Sequence, residues 1–323
     1  MTIVVVSTGG TIMAREDPRT GSLVPMVTAA ELVDLMDWPD APALEVEDFT
    51  SVPSWDLHGD LAARLARRVA EHAARDDVTG IVVPHGTDTM EENVYLADLL
   101  LAGDTPVVFT GAQRAASVAD SDGPRNLRDA IRVAGAPAAR GHGAMLAFAG
   151  SIHAAREVRK VHTSALDAFA SPGYGPIGHV DGETVVFGLR PEPRSRPAFD
   201  AGRIEARVDL IRLYAGSDAR FLEAAVASGT RAIVLEATGR GNANDAIVRA
   251  VGAATAAGVA VVVCSRCLAG RVEPEYGRGG GADLAEAGAL FAGDLAGPKA
   301  RMLLQVALGA GVEPARALAT EAA

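Results

Sequence analysis

Short runs of consecutive aliphatic residues alternate along the chain with longer stretches in which apolar side chains recur every three to four positions. A continuous apolar run is typical of a strand buried on both faces, and the longer period is typical of an amphipathic helix. This pattern predicts strands at 3–7, 79–84, 106–110, 144–148, 232–236 and 259–264. It predicts helices at 57–74, 91–102, 124–134, 219–228, 245–257 and 298–308. The alternation indicates an α/β fold with parallel sheets.

The alternation is interrupted between residues 190 and 207, where the sequence contains three prolines and several charges. Proline fits neither a central ladder nor a helix interior, so this composition is typical of a linker. A chain of 323 residues also exceeds what one hydrophobic core usually holds. We therefore expect an N-terminal catalytic α/β domain over 1–190, a linker over 191–208 and a C-terminal α/β domain over 209–323.

Composition excludes several classes of partner. The net charge of −11 argues against a nucleic-acid surface, which needs a basic stripe, and no polybasic segment suits an anionic membrane. No apolar stretch reaches the roughly 20 residues of a membrane-spanning helix. Two cysteines in so long a chain fit a reducing compartment, and the N-terminus begins with a strand instead of a cationic leader. We expect a cytoplasmic protein with no nucleic-acid or membrane partner.

Ligands in parallel α/β sheets bind at the carboxyl ends of the strands, and two polar motifs stand there. The first, "TGGT" at 8–11, contains glycines that let the backbone approach a ligand and a hydroxyl suited to nucleophilic attack, although it also suits an ordinary turn. The second, "HGTDTMEE" at 85–92, contains a predicted capping box between Thr89 and Glu92. Capping does not explain the preceding Thr87 and Asp88.

A third feature is the charged stretch "AREVRK", which ends at Lys160. Such a run is usually a solvated face, but a lysine placed beside a threonine and an aspartate can act as a base.

Other motifs favour neither cofactor nor metal. The Gly239-x-Gly241 pair lacks a third glycine for a dinucleotide, the C-x-x-C at 264–267 has no second pair for zinc, and the histidines lack metal-ligand spacing.

Together these motifs resemble the bacterial-type L-asparaginase family of threonine amidohydrolases over nearly the whole chain. The resemblance is carried by "TGGTI" at 8–12, "HGTDTMEE" at 85–92, "GAQR" at 111–114, "DGPRNL" at 122–127, Lys160 before "HTSALDAFASPGYGPIG", "GRGN" at 239–242 and "KARMLLQVAL" at 299–308. It implies a larger N-terminal parallel-sheet domain and a smaller Rossmann-like C-terminal domain. It also implies hydrolysis of L-asparagine, or of glutamine, without a cofactor or metal.

The resemblance also implies roles for individual residues. Thr11 is aligned with the nucleophile that forms an acyl-enzyme, and Thr87, Asp88 and Lys160 with a second catalytic triad. The implied substrate contacts are Ser54 to the α-carboxylate, Asp88 to the α-amine and the backbone of Ala112 to the departing amide. Because amide hydrolysis needs donors for the developing oxyanion, we expect backbone N–H groups near Gly10, Thr11, Gly86 and Thr87 to stabilise it. Asn242 is aligned with a residue lent by a neighbouring subunit, which implies a homodimer or homotetramer.

The sequence departs from the family pattern in three places. Residues 14–32 contain no lid tyrosine, for which Tyr276 is a candidate substitute. Trp55 stands where many members place a glutamine in the α-amine pocket, which leaves the preference between asparagine and glutamine open. The segment 271–281 is rich in glycine and unlike that of the better-known members, so Glu273 and Glu275 are both candidates for the acidic contact between subunits.

Two other functions compete with an asparaginase. One is an amidase that supplies ammonia to a partner, as in amidotransferase subunits of the family, which usually carry an extra N-terminal domain that we do not expect here. The other, from a different class, is a non-catalytic anion- or nucleotide-binding module in which the "TGGT" motif is a phosphate nest.

Overall fold

The computed structural model describes residues 1–25, 27–189, 199–200 and 202–321. The chain is divided into two compact units, Met1–Ala198 and Phe199–Ala323. Most of the proline-containing part of the predicted linker, residues 191–198, lies outside the described residues.

The first unit contains an eight-stranded sheet, two short two-stranded ribbons and four described α-helices. Its strands are β1 Thr2–Ser7, β2 Ala14–Glu16, β3 Leu23–Pro25, β4 Leu44–Asp48, β5 Val78–Pro84, β6 Val107–Thr110, β7 Ala144–Phe148, β8 Ser151–Ala154, β9 Arg159–Lys160, β10 Phe169–Ala170, β11 Gly178–Asp181 and β12 Thr184–Phe187. Its helices are α1 Ala29–Asp34, α2 Gly59–Ala73, α3 Met90–Leu100 and α4 Gly123–Gly135. The ribbons pair β2 with β3 and β9 with β10.

The large sheet has the strand order β12-β11-β8-β7-β6-β5-β1-β4. Five neighbouring strands, from β4 to β7, are parallel, and β8, β11 and β12 extend one edge in antiparallel pairs. The sheet is therefore mixed, whereas a parallel sheet was predicted. The edge strands were not predicted because β11 and β12 alternate exposed positions with buried or partly buried ones and lack a continuous apolar run.

The parallel strands that carry the site are buried on both faces, as their sequences predict. Val4, Val5 and Val6 of β1 are fully buried, and so are Ile81 and Val82 of β5. Burying one such side chain stabilises the fold by about 1.5–3 kcal/mol. Because β1, β5 and β6 are adjacent and parallel, the loops that follow them leave the sheet at the same edge.

The second unit is a four-stranded parallel sheet in the order β13-β14-β15-β16, flanked by helices. Its strands are β13 Val208–Arg212, β14 Ala232–Ala237, β15 Ala260–Ser265 and β16 Leu290–Phe291. Its helices are α5 Arg220–Ala227, α6 Asp245–Ala256, α7 Gly281–Glu286, α8 Gly297–Gly309 and α9 Pro314–Glu321. The predicted two-part α/β architecture is confirmed. Within the described residues, no helix has the length and apolar character to cross a membrane.

Candidate active site

Two glycines bring the loops after β1 and β5 into close contact. Thr8 binds the end of β5, because its N–H and its hydroxyl both donate to the carbonyl oxygen of Pro84, at 3.1 and 3.0 Å. Gly10 has a φ of 86°, and a methyl group there would lie 2.3 Å from Gly86 Cα. A side chain at Gly10 would thus be strained by the backbone and blocked by its neighbour. The contact places Thr11, which is partly exposed, in the loop that touches the second motif.

Ser54 lies against Gly86 from another direction than Gly10. A methyl group at Gly86 would lie 2.8 Å from Ser54 Oγ, and Ser54 is buried while its neighbour Trp55 is 64% exposed. The hydroxyl of Thr89 donates to the carbonyl oxygen of Ser54 at 2.7 Å. Thr89 is the N-cap residue of α3, but its side chain makes no capping hydrogen bond. The predicted Thr89–Glu92 capping box is therefore wrong, and the hydroxyl of Thr89 instead holds the Ser54 turn.

Lys160 joins the second motif from β9, more than 70 positions away in sequence. Its Nζ donates to Thr87 Oγ1 at 2.8 Å and to Asp88 Oδ1 at 2.5 Å. The lysine side chain is 14% exposed, whereas that of Asp88 is 52% exposed. The structure thus brings these three predicted residues together. The alternative interpretation, in which the charged stretch ending at Lys160 is a solvated face, is wrong for this lysine.

Glu91 contacts the same lysine and was missed in the sequence. It lies in the first turn of α3, and its Oε2 accepts the backbone N–H of Lys160. Its Oε1 is 3.5 Å from Arg159 Nε. The signal available in the sequence was a pair of acidic residues in the first helical turn, but such residues are common there because they complement the helix dipole.

The loop after β6 carries the predicted contact residue Ala112, which is buried. The carboxylate of Asp122 accepts the backbone N–H of Gln113 at 3.0 Å and so fixes this loop. The preceding Gly111 lies against Thr87, since a methyl group at Gly111 would be 3.4 Å from Thr87 Cγ2. The loops after β1, β5 and β6 therefore all meet at one edge of the sheet.

A cavity of about 350 Å³ opens beside Lys160. Its size lies at the lower end of the range for small-molecule sites. Its described lining consists of Asp88, Glu91, Lys160, Val161, His162 and Thr163.

His85 is fully buried and orients the peptide that precedes Thr87. Its Nδ1 lies 2.6 Å from the carbonyl oxygen of Gly86, and a carbonyl only accepts, so Nδ1 carries the proton. The peptide is trans, so the Thr87 N–H points away from the His85 ring. His85 thus supports the turn that precedes Thr87. Burial lowers the pKa of His85 from 6.5 to about 4.

Acidification is expected to destabilise the folded protein through His85. Between its unfolded pKa of 6.5 and its folded pKa of about 4, the unfolded chain binds a proton that the folded chain does not. Stability is fully present above pH 6.5 and is lost as the pH falls toward 4, by about 3 kcal/mol. Denaturant unfolding at about pH 7 and pH 4 should show this loss reduced in His85→Asn. The exposed His179→Asn should retain it; an equal loss in all three proteins would refute the assignment.

The remaining predicted residue, Asn242, belongs to the second unit. It follows β14, where its carbonyl oxygen accepts the Thr238 hydroxyl at 2.8 Å and its Oδ1 accepts the Gly281 N–H at 3.2 Å. Both candidate acidic residues nearby pair with Arg240: Glu273 in a short contact and Glu275 at 3.3 Å from Arg240 Nε.

The loops at the strand ends bring hydroxyl groups, an amine and a carboxylate together at the edge of a parallel sheet. In a chain of two α/β units, this arrangement is that of an enzyme active site. Two family models match the chain: "Asparaginase, N-terminal" over residues 2–193 and "Glutaminase/Asparaginase C-terminal domain" over residues 207–319. The chain belongs to the asparaginase family and is a hydrolase.

Comparisons with individual proteins support the assignment to this family. The chain is 38% identical to a probable L-asparaginase of Deinococcus radiodurans, over 96% of this chain and 93% of that protein. It is 34% identical to one component of the glutamyl-tRNA(Gln) amidotransferase of Pyrobaculum aerophilum, over 83% of this chain and 66% of that component. The crystal structure of a probable cytoplasmic L-asparaginase from Campylobacter jejuni superimposes with a TM-score of 0.86 at 29% identity, covering 98% of each chain.

Proposed function

We propose that the protein is an L-asparaginase, which hydrolyses L-asparagine to L-aspartate and ammonia through an ester on Thr11. The observation that carries the proposal is the pair of hydrogen bonds from Lys160 Nζ to Thr87 Oγ1 and Asp88 Oδ1. A threonine hydroxyl is a weak nucleophile at neutral pH and needs a base to take its proton. An amine bonded to a second hydroxyl supplies a base and a proton path.

The composition of the chain supports a chemical role for this amine. Of the 30 basic residues only two are lysines, Lys160 and Lys299. Arginine remains protonated under all working conditions, whereas an amine can release and recover a proton. A lysine in the site of a chain otherwise rich in arginine fits a proton carrier better than a fixed charge.

In the proposed reaction, Thr11 Oγ attacks the side-chain amide carbon while its proton passes through the Thr87 hydroxyl to Lys160. Lys160 returns that proton to the nitrogen, the C–N bond breaks, and ammonia leaves. Water then attacks the ester, a proton passes again to Lys160, and Thr11 recovers its hydrogen as aspartate departs. Asp88 stabilises the ammonium that forms each time the amine accepts a proton.

Substrate binding follows from the neighbouring groups. The buried Ser54 hydroxyl is proposed to hold the α-carboxylate, and Asp88 the α-ammonium. Backbone N–H groups of Gly10, Thr11, Gly86 and Thr87 are proposed to stabilise the oxyanion. Donors fixed by a rigid turn do this effectively because they need not reorganise when the charge develops. The carbonyl oxygen of Ala112 lies in the loop proposed to contact the departing amide. Trp55 borders Ser54 and is proposed to shape the preference between asparagine and glutamine.

We also propose an oligomeric, cytoplasmic enzyme without a cofactor. Asn242 is proposed to reach the site of a neighbouring copy, in a homodimer or homotetramer. Cys264 and Cys267 form no disulfide, and the Campylobacter jejuni relative is described as a probable cytoplasmic L-asparaginase, which supports the location. The family-model ranges and the two compact units support domains at 1–190 and 209–323, joined by a linker at 191–208.

Ammonia release from asparagine and glutamine, measured side by side, tests the function. We expect turnover of asparagine in the range of about 1–1,000 s⁻¹ that is usual for enzymes. A preference for glutamine would favour the amidotransferase-like alternative, given the similarity to the Pyrobaculum aerophilum protein. No ammonia from either substrate, with a thermal shift on nucleotide addition, would overturn the enzyme in favour of a nucleotide-binding module.

A further inference from the structure

Lys160 is held in place by more than its own strand. The β9–β10 ribbon has two residues on each side, with Lys160 opposite Phe169. The adjoining hydrogen bond of the ribbon runs from the Val161 N–H to the Ala168 carbonyl oxygen at 2.8 Å. The N–H of Lys160 points to the other side and donates to Glu91 Oε2. A ribbon this short is marginal by itself, so its position depends on external contacts.

Glu91 is well placed to supply such a contact. It is 9% exposed and lies on α3, whose residues from Met90 to Leu100 are almost all buried. Its second carboxylate oxygen lies 3.5 Å from Arg159 Nε, so Glu91 contacts both residues of β9. A negative charge in the first turn of a helix is also stabilised by the helix dipole.

We propose that Glu91 is a positioning residue that sets the location of the Lys160 amine; the inference rests on the proposed role of Lys160 as the base. The segment 87–91 then holds Lys160 at both ends. Thr87 and Asp88 bind its Nζ, and Glu91 binds its backbone N–H. The lysine stem between these two anchors has a fixed span, which keeps the amine beside the Thr87 hydroxyl.

Removing the backbone anchor should affect turnover more than substrate binding. A shift of about 1 Å in a reacting group can lower a rate by about 100-fold. For Glu91→Ala we expect kcat to fall by about 30- to 100-fold while KM changes by less than about threefold. Glu91→Gln keeps an oxygen that can accept the Lys160 N–H, and it should restore kcat to within about fivefold of the wild type.

Asp98 provides a matched control on the same helix. It is buried, and its Oδ1 accepts the backbone N–H of Ala144 at 2.8 Å, so Asp98→Ala removes a similar bond at the far end of α3. We expect a comparable fall in Tm for Asp98→Ala and Glu91→Ala, with kcat unchanged in the former. If Glu91→Ala loses the same stability but keeps wild-type kcat, Glu91 is structural only and the inference fails.

A second measurement does not depend on activity. With only two lysines in the chain, acetic anhydride labelling followed by peptide mass spectrometry reports on Lys160, and the fully buried Lys299 serves as the internal reference. We expect Lys160 to be acetylated several times faster in Glu91→Ala than in the wild type or Asp98→Ala. Equal rates would overturn the positioning role. Loss of the proposed function would instead appear as a folded wild-type protein that releases no ammonia.

Discussion

Replacing Thr11 with alanine is expected to lower kcat for ammonia release from asparagine by about 10⁴-fold, the scale seen when a nucleophile is removed from a concerted catalytic group. The residual rate would come from binding and from the backbone donors of the two loops. KM should change little, because the alanine variant keeps Ser54 and Asp88, which are the residues proposed to bind the substrate. Initial-rate measurements with coupled ammonia detection would give both constants.

Thr87 is the matched comparison for Thr11, since both are threonines at the ends of adjacent strands. Thr87→Ala removes the hydroxyl that accepts from Lys160 Nζ but leaves the Thr11 hydroxyl in place. Thr11→Ser should recover much more activity than Thr11→Ala, because serine retains the hydroxyl. Wild-type kcat in Thr11→Ala, with inactive Thr87→Ala, would transfer the nucleophilic role to Thr87.

Replacing Lys160 with arginine is expected to lower kcat by about 10³-fold, within the range that general acid–base catalysis contributes. The substitution keeps the positive charge beside Asp88, so an electrostatic role alone would survive in part. It removes a group that can accept and return a proton, because a guanidinium does not lose its proton in proteins. Steady-state kinetics of both proteins over a range of pH would measure the effect.

Chemical rescue separates the base from a structural lysine. In Lys160→Ala, added primary amines small enough for the cavity beside Lys160 should restore part of kcat in proportion to their concentration. Neither Lys160→Arg nor the Thr11→Ala variant should respond. A Lys160→Arg enzyme within tenfold of the wild-type kcat would contradict the proton-carrier role.

The fold elements that carry the site could be predicted from the sequence because burial leaves a strong pattern. The strand predicted at 144–148 is confirmed in full as β7, and the helix predicted at 245–257 differs by one residue from α6. The ribbons and the antiparallel edge could not be predicted in this way. Their strands have two to four residues and partly exposed side chains, so neither period has room to develop.

Parts of the site were predictable for a different reason. Parallel strands place their carboxyl ends together, so polar motifs after neighbouring strands are expected to meet, as Thr87 and the loop of Thr11 do. The contact between Glu91 and Lys160 was not predictable, because it joins positions 69 apart through the backbone of a two-residue strand. The hydroxyl of Thr89 illustrates the opposite error: its local pattern favoured a cap, but tertiary packing against Ser54 determined its partner.

Trapping the covalent intermediate tests the central claim most directly. Wild-type protein mixed with asparagine, quenched in acid within milliseconds and digested, can be mapped by peptide mass spectrometry for an added aspartyl group. We predict the aspartyl ester on the peptide that contains Thr11. The ester should be absent from Thr11→Ala mixed with asparagine, and from wild-type protein mixed with aspartate and quenched before turnover. An ester on the Thr87 peptide, or ammonia release in Thr11→Ala at the wild-type rate, would contradict the proposed mechanism.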